Sequence, residues 1–95
     1  MRILRLNETL ARTGDTRSPH YSKVTSGHFT RPIKLGGRRA SGWPQHEVDA
    51  IVTARIAGAS DSELATLVKK LHATRSQRFT ELLRSLEKNS RDSDL

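Results

Sequence analysis

Apolar and polar positions change period several times along this chain, and each change marks an element. Ile3, Leu4 and Leu6 form a short apolar lead-in, followed at helical spacing by Leu10 and Ala11 as the expected buried face of a short helix. Asn7 is the expected N-cap, Glu8 sits where the helix dipole favours a carboxylate, and Gly14 stops the helix. A second short helix should begin near Thr16–Ser18, with Ser18 as its cap and Pro19 at the first helical position. It carries Tyr21 and Val24 and stops at Gly27. Helix, glycine turn, helix over about 20 residues is the helix-turn-helix pattern.

Residues 28–44 switch to a strand pattern. Gly36-Gly37 suits a two-residue type I′ turn, which would place Lys34 opposite Arg39 and Leu35 opposite Arg38. Ile33 and Leu35 are expected on the buried side. In strict register Trp43 shares a face with Lys34 and Arg39, so a bulge at Gly42 is expected to turn the indole inward. Like charges opposite one another across a strand pair are destabilising. A hairpin that gathers Arg31, Lys34, Arg38 and Arg39 therefore points to an anionic partner.

Pro44 then opens a third helix, with Val48, Ile51, Val52 and Ile56 on one face and Gly58 at its end. Ser60-Asp61-Ser62-Glu63 is a capping box. Behind it Leu64, Leu67, Val68 and Leu71 make one apolar stripe, which Arg75 and Arg78 interrupt before Phe79, Leu82, Leu83 and Leu86 resume it. One long helix and two helices broken near Thr74–Gln77 both fit. This stripe is not needed to complete a winged helix-turn-helix, so homodimerisation through residues 60–88 is expected, the other reading being that it folds back over the N-terminal core. The arginines inside it argue against a long regular coiled coil. The expected fold is mainly α with a small β-hairpin: a winged helix-turn-helix followed by an extra C-terminal helical segment. Residues 1–58 would be the DNA-binding domain, 59–88 the dimerisation or interaction segment, and 89–95 a disordered tail.

Charge sharpens this picture. The 95 residues carry a formal net charge of +7. Residues 1–44 hold nine Lys/Arg against two Asp/Glu, whereas 45–95 hold eight of each. All the excess lies on the half with the helix-turn-helix and hairpin, as a nucleic-acid-binding face requires. With 34% apolar residues the core must be small. Cysteine is absent, which excludes disulfides and thiolate metal sites. No stretch approaches a membrane span, and MRILRLN has too short an apolar run for a signal peptide. The expected location is cytoplasmic, on the nucleoid. His20, His28, His46 and His72 are scattered, and His46, Glu47 and Asp49 do not share one helix face, so they read as surface polarity and no metal site is expected. Neither a nucleophile–base pair nor a phosphate loop can be picked out, so no enzyme, cofactor or small-molecule ligand is expected. An RNA reader would need stacking aromatics, and this chain has only Tyr21, Phe29, Trp43 and Phe79.

Read in order, RILRLNETLARTG (2–14), TRSPHYSKV (16–24) and GHFTRPIKLGGRRASGWPQHEVDA (27–50) resemble the AlpA-type phage and prophage regulators, which are related to the MerR and excisionase group. The resemblance covers about residues 2–57 and rests on the order of the RTG turn, the RS…Y helix and the PIKLG…R…GWP…EVDA block. The chain departs from the family pattern at Asp15, at Pro19-His20 and at Thr30. The resemblance implies binding to double-stranded DNA of a mobile element, as a transcriptional regulator or as an excisionase that binds and bends attachment-site DNA. A protein-interaction adaptor working through residues 60–88 is a further reading.

In such a fold the second helix enters the major groove, where base edges are distinguishable. Arg17 and His20 are then the candidates for base edges, and Ser18, Tyr21 and Lys23 for phosphates. Tyr21 has a second reading, with its ring in the core and only its hydroxyl reaching the backbone. Arg31, Lys34, Arg38 and Arg39 would neutralise phosphates or probe the minor groove. Arg38 could instead cover the domain's own surface. Arg2 and Arg5 could add backbone contacts or be solvated charge.

Overall fold

The first residues already form a strand. β1 (Ile3–Arg5) buries Leu4 between an exposed Ile3 and an exposed Arg5. The computed structural model describes residues 2–37 and 40–93, so Arg38 and Arg39 lie outside the described residues. After β1 come α1 (Leu6–Thr13), α2 (Arg17–Ser26), β2 (Ile33–Lys34), β3 (Ser41–Pro44), α3 (Gln45–Ile56) and α4 (Asp61–Ser93). The mainly α architecture with a small hairpin and a C-terminal helix is as the sequence predicts. The strand β1 is an addition, and it turns the hairpin into a three-stranded antiparallel sheet of order β1-β3-β2.

Two helix starts differ from expectation. Arg5, not Asn7, is the N-cap of α1, and the Glu8 carboxylate accepts the Arg5 N–H at 3.3 Å. The strand runs straight into the helix, so no residue is free to act as a side-chain cap. Thr9 is the buried residue of α1, whereas Leu10 is half-buried and Ala11 exposed. Thr16, not Ser18, precedes α2, which places Pro19 at its third position. That is still within the first turn, where an amide has no intrahelical acceptor and proline costs little. Gly14 (φ 77°) and Gly27 (φ 84°) end the two helices in the left-handed conformation that glycine adopts freely.

The hairpin register differs from the one a Gly-Gly turn sets. Lys34 pairs with Ser41, and the Leu35 N–H donates to the Ala40 carbonyl at 2.9 Å, a register two residues away from that of a Gly-Gly turn. Lys34 and Leu35 therefore face Ser41 and Ala40 and not the partners that a two-residue turn predicts. β3 pairs in continuous register with both neighbours, so no bulge at Gly42 is needed to bury Trp43. Plain alternation puts Trp43 beside Leu4 on the core face. Its indole N–H donates to the Thr30 carbonyl at 2.8 Å. Gly42 serves close packing instead: a Cβ there would stand 2.7 Å from both the Ile3 side chain and the Leu4 carbonyl. Leu35 lies on the opposite, outward face and is exposed, and Ile33 is only half-buried, contrary to expectation.

Among the described residues one core joins the N-terminal elements to the first half of α4. Leu4, Phe29, Trp43, Val48 and Ile51 are buried together with Leu64 and Val68 of α4. Ile56, expected on the buried face of α3, is 83% exposed, because α3 turns that position past the edge of the core. The capping box of α4 is present: the Ser60 hydroxyl accepts the Glu63 N–H, and the Glu63 carboxylate accepts the Ser60 N–H. α4 is a single helix of 33 residues, extending across the Asn89 boundary where disorder was expected. Its proximal half folds back on the core through Leu64 and Val68, with Leu67 and Leu71 packed against them. Its distal half leaves Phe79, Leu82, Leu83 and Leu86 exposed.

Candidate nucleic-acid interface

The cations of this chain divide by what they touch. Arg2 binds Glu8, Arg12 binds Asp49, Lys23 and Arg55 share Asp15, and Arg75 binds Glu47. These pairs join α1 to α3 and α2 to the turn before it, and they hold α4 on α3. Among the described residues of the first 56, Arg5, Arg17, Arg31 and Lys34 have no carboxylate partner, and all four are exposed; Lys69, Lys70, Arg78, Arg84 and Lys88 of α4 are likewise exposed and unpaired. Arg5 and Arg17 line one open cleft with Leu6, Asn7, Tyr21 and Ser41. Lys34 stands across the strand pair from Ser41. The start of α2, the end of β1 and the hairpin thus present neighbouring positive charge.

Not every predicted contact residue reaches this face. Arg17 is exposed at the first position of α2, its guanidinium 6.0 Å from the Tyr21 ring centre, and Ser18 is exposed beside it. Tyr21 is half-buried, consistent with a ring in the core and a hydroxyl near the surface. Lys23 is held by Asp15 at 2.7 Å, a carboxylate it shares with Arg55. The Arg31 main chain is fastened to α4, its N–H donating to His72 Nε2 and its carbonyl accepting from Arg75. The Arg31 side chain remains exposed.

His20 requires a correction. It is fully buried, edge-on to Phe29 and Trp43 at 4.7 and 4.6 Å, and cannot touch a base edge. It falls one helical turn before Val24, on the inward face of α2. The outward face instead shows Ser18, Ser22 and Thr25. Helical phase could have found Ser22 and Thr25, four and seven residues after Ser18. Asn7 and Ser41 carry no sequence signal, since only the sheet brings them beside α2. Glu47 is the second correction: it is fully buried and bonded, not surface polarity.

The Asp15 carboxyl anchors this half. Burial alone would raise its pKa, but the Lys23 and Arg55 bonds outweigh that and hold it below 3.8. Burial also lowers the pKa of His20, against the pull of Asp15 and with the push of Arg55 and Lys23. Burial lowers that of His72 as well, reinforced by Arg31 and Arg75, and its Nε2 must be unprotonated to accept the Arg31 N–H. Both histidines bind a proton more weakly folded than unfolded. Stability is therefore expected to be whole above pH 6.5 and to fall as pH drops below it. Urea melts at about pH 7.5 and about pH 5.5 check this through the midpoint. His20→Leu, which removes no hydrogen bond because neither ring nitrogen has one, should flatten part of that slope while costing less than about 1.5 kcal/mol at neutral pH.

Residues 2–56 match the family described as Prophage CP4-57 regulatory protein (AlpA). The chain belongs to the AlpA family. The match covers both short helices, the three-stranded sheet and α3, and so contains Arg5, Arg17, Arg31 and Lys34. α4 lies beyond it. AlpA is a family of regulators, not of enzymes. No curated protein and no solved structure matches the chain. Among the described residues no helix is long and apolar enough to cross a membrane. The departure of this AlpA chain at Asp15 has a local reason, since that carboxylate receives both Lys23 and Arg55.

Proposed function

We propose that this AlpA-family chain is a sequence-specific double-stranded DNA-binding transcriptional regulator of a prophage or other mobile element. In this reading it works as a winged helix-turn-helix. α2 enters the major groove with Ser18, Ser22 and Thr25 outward, and the hairpin of β2 and β3 lies on the backbone or in the minor groove. The observation that carries the reading is the charge left over within the family-matched segment: Arg5, Arg17, Arg31 and Lys34 lack acidic partners among the described residues, while Arg2, Arg12, Lys23 and Arg55 of the same segment are paired. Unmatched surface charge repels itself until an anion covers it.

The protein acts as a homodimer, joined through the part of residues 60–88 that stays exposed. Phe79, Leu82, Leu83 and Leu86 leave a continuous apolar stripe on the projecting half of α4. Two copies supply the specificity that one small domain lacks.

The test is a salt series on duplexes from the promoter and attachment-site regions near the gene. Neutralising about five phosphates gives a log–log slope of roughly −4 to −5. Lys34→Ala is expected to weaken all duplexes alike and reduce the slope by about one. A protected promoter supports the regulator; repeated protection with bending at the attachment site would favour an excisionase. No protection with flat salt dependence removes DNA from the account.

A further inference from the structure

The cleft between the start of α1, the start of α2 and β3 has a lining suited to one chemical group. Arg5 and Arg17 bring two guanidinium groups, Asn7 an amide and Ser41 a hydroxyl, with Leu6 and Tyr21 completing the wall. No carboxylate lines it. Among the described residues the side chains of Arg5, Asn7, Arg17 and Ser41 make no hydrogen bond within the protein, although those of Arg2, Arg12, Lys23, Arg55 and Arg75 all do. The first turn of α2 holds no acidic residue, so the amide end of that helix adds to the positive potential.

We propose that this cleft is a phosphodiester clamp that grips the DNA backbone beside the first turn of α2 and so sets the register of that helix in the groove. The proposal rests on the DNA-binding reading. A guanidinium fork matches two phosphate oxygens, and hydroxyl and amide donors from separate elements fix where the group sits without reading a base. The cleft is open, which suits a strand passing through it better than a captured ion. It also brings together residues from β1, α1, α2 and β3, so one phosphate would tie the helix to the sheet. Arg17 is thereby assigned to the backbone and not to a base edge.

The experiment is a salt series with the full chain on a footprinted duplex and on a scrambled duplex of equal length. Arg5→Ala and Arg17→Ala should each weaken both duplexes by the same factor, about five-fold near physiological salt, and each lower the slope by about one. Asn7→Asp places a carboxylate in the cleft at a first-turn position where the helix tolerates it, so it should weaken binding while leaving the thermal midpoint unchanged. Loss of preference for the footprinted duplex with an unchanged slope in Arg17→Ala would make Arg17 a base reader and overturn the clamp. Unchanged affinity and slope in Arg5→Ala would overturn it as well, with DNA binding by the parent chain intact. Saturation of the cleft by inorganic phosphate alone at micromolar concentration, read from amide shifts of Asn7 and Ser41, would make it a free-anion site instead. If the parent chain binds neither duplex, the DNA-binding reading itself falls.

Discussion

Arg75→Ala is expected to lower the stability of the protein by about 3–5 kcal/mol, the largest loss from any single substitution considered for this chain. Arg75 Nε and Nη2 donate to the two oxygens of Glu47 at 2.7 and 2.6 Å, and Nη2 also donates to the Arg31 carbonyl at 2.8 Å. The Glu47 side chain is fully buried and that of Arg75 three-quarters so. Removing the guanidinium strands a carboxylate in the core, and it also frees the segment that leads into β2. The cost comes from the stranded charge more than from any large net gain in the intact pair, since desolvating both ions offsets much of their attraction. Two controls follow. Lys at position 75 cannot make the fork, so Arg75→Lys should recover only part of the loss. Replacing both members, Glu47→Leu with Arg75→Met, should be far milder than Arg75→Ala alone. Urea denaturation of the three variants reads this directly; a loss below about 1 kcal/mol for Arg75→Ala would put the pair in the class of solvated surface bridges.

The Glu47–Arg75 pair also shows where sequence reading stops. Glu47 looks like helix polarity and Arg75 like an interruption of an apolar stripe, because each is judged against its own helix. Only the fold, bringing together residues 28 apart, turns two local exceptions into one buried interaction. The same limit hid β1. Its three residues are too few to show a period, and its partner strand lies beyond both short helices. Features closed by neighbours were legible: the Ser60–Glu63 capping box, the glycine stops at Gly14 and Gly27, and the hairpin as such. Hairpin register was not, since Gly36-Gly37 suggests a tight turn but Leu35 bonds to Ala40, two residues away from the partner that turn predicts. A shift of two keeps every side chain on its face. Trp43 thus reached the core by alternation alone, without the expected kink. Within the candidate interface, charge was legible and burial was not. Arg17 and Lys34 stand exposed as read, while His20 was indistinguishable in sequence from a polar contact residue.

A chain ending at Gly58 is expected to show no cooperative unfolding, whereas a chain ending at Arg78 should fold and sediment as a monomer. Ending at Gly58 cuts Leu64 and Val68 out of the single core, each worth about 1.5–3 kcal/mol of burial. It also leaves Glu47 buried without Arg75, at the cost argued above. Together these losses match the whole stability of a small domain, about 5–15 kcal/mol with small cores at the low end. The family-matched segment therefore depends on a helix that lies outside the match. Ending at Arg78 keeps every one of those contacts and removes the exposed stripe from Phe79 to Leu86 with the residues that follow it. Melts followed by far-UV circular dichroism, with sedimentation at micromolar concentration, separate the two halves of α4. Cooperative melting of the shorter chain near the full-length midpoint would make α4 an appendage rather than part of the domain. Dimers persisting in the chain ending at Arg78 would move the interface off the stripe. If both expectations hold, α4 has two roles divided near Arg78: its first half completes the domain built on the family-matched segment, and its second half joins two copies of the chain.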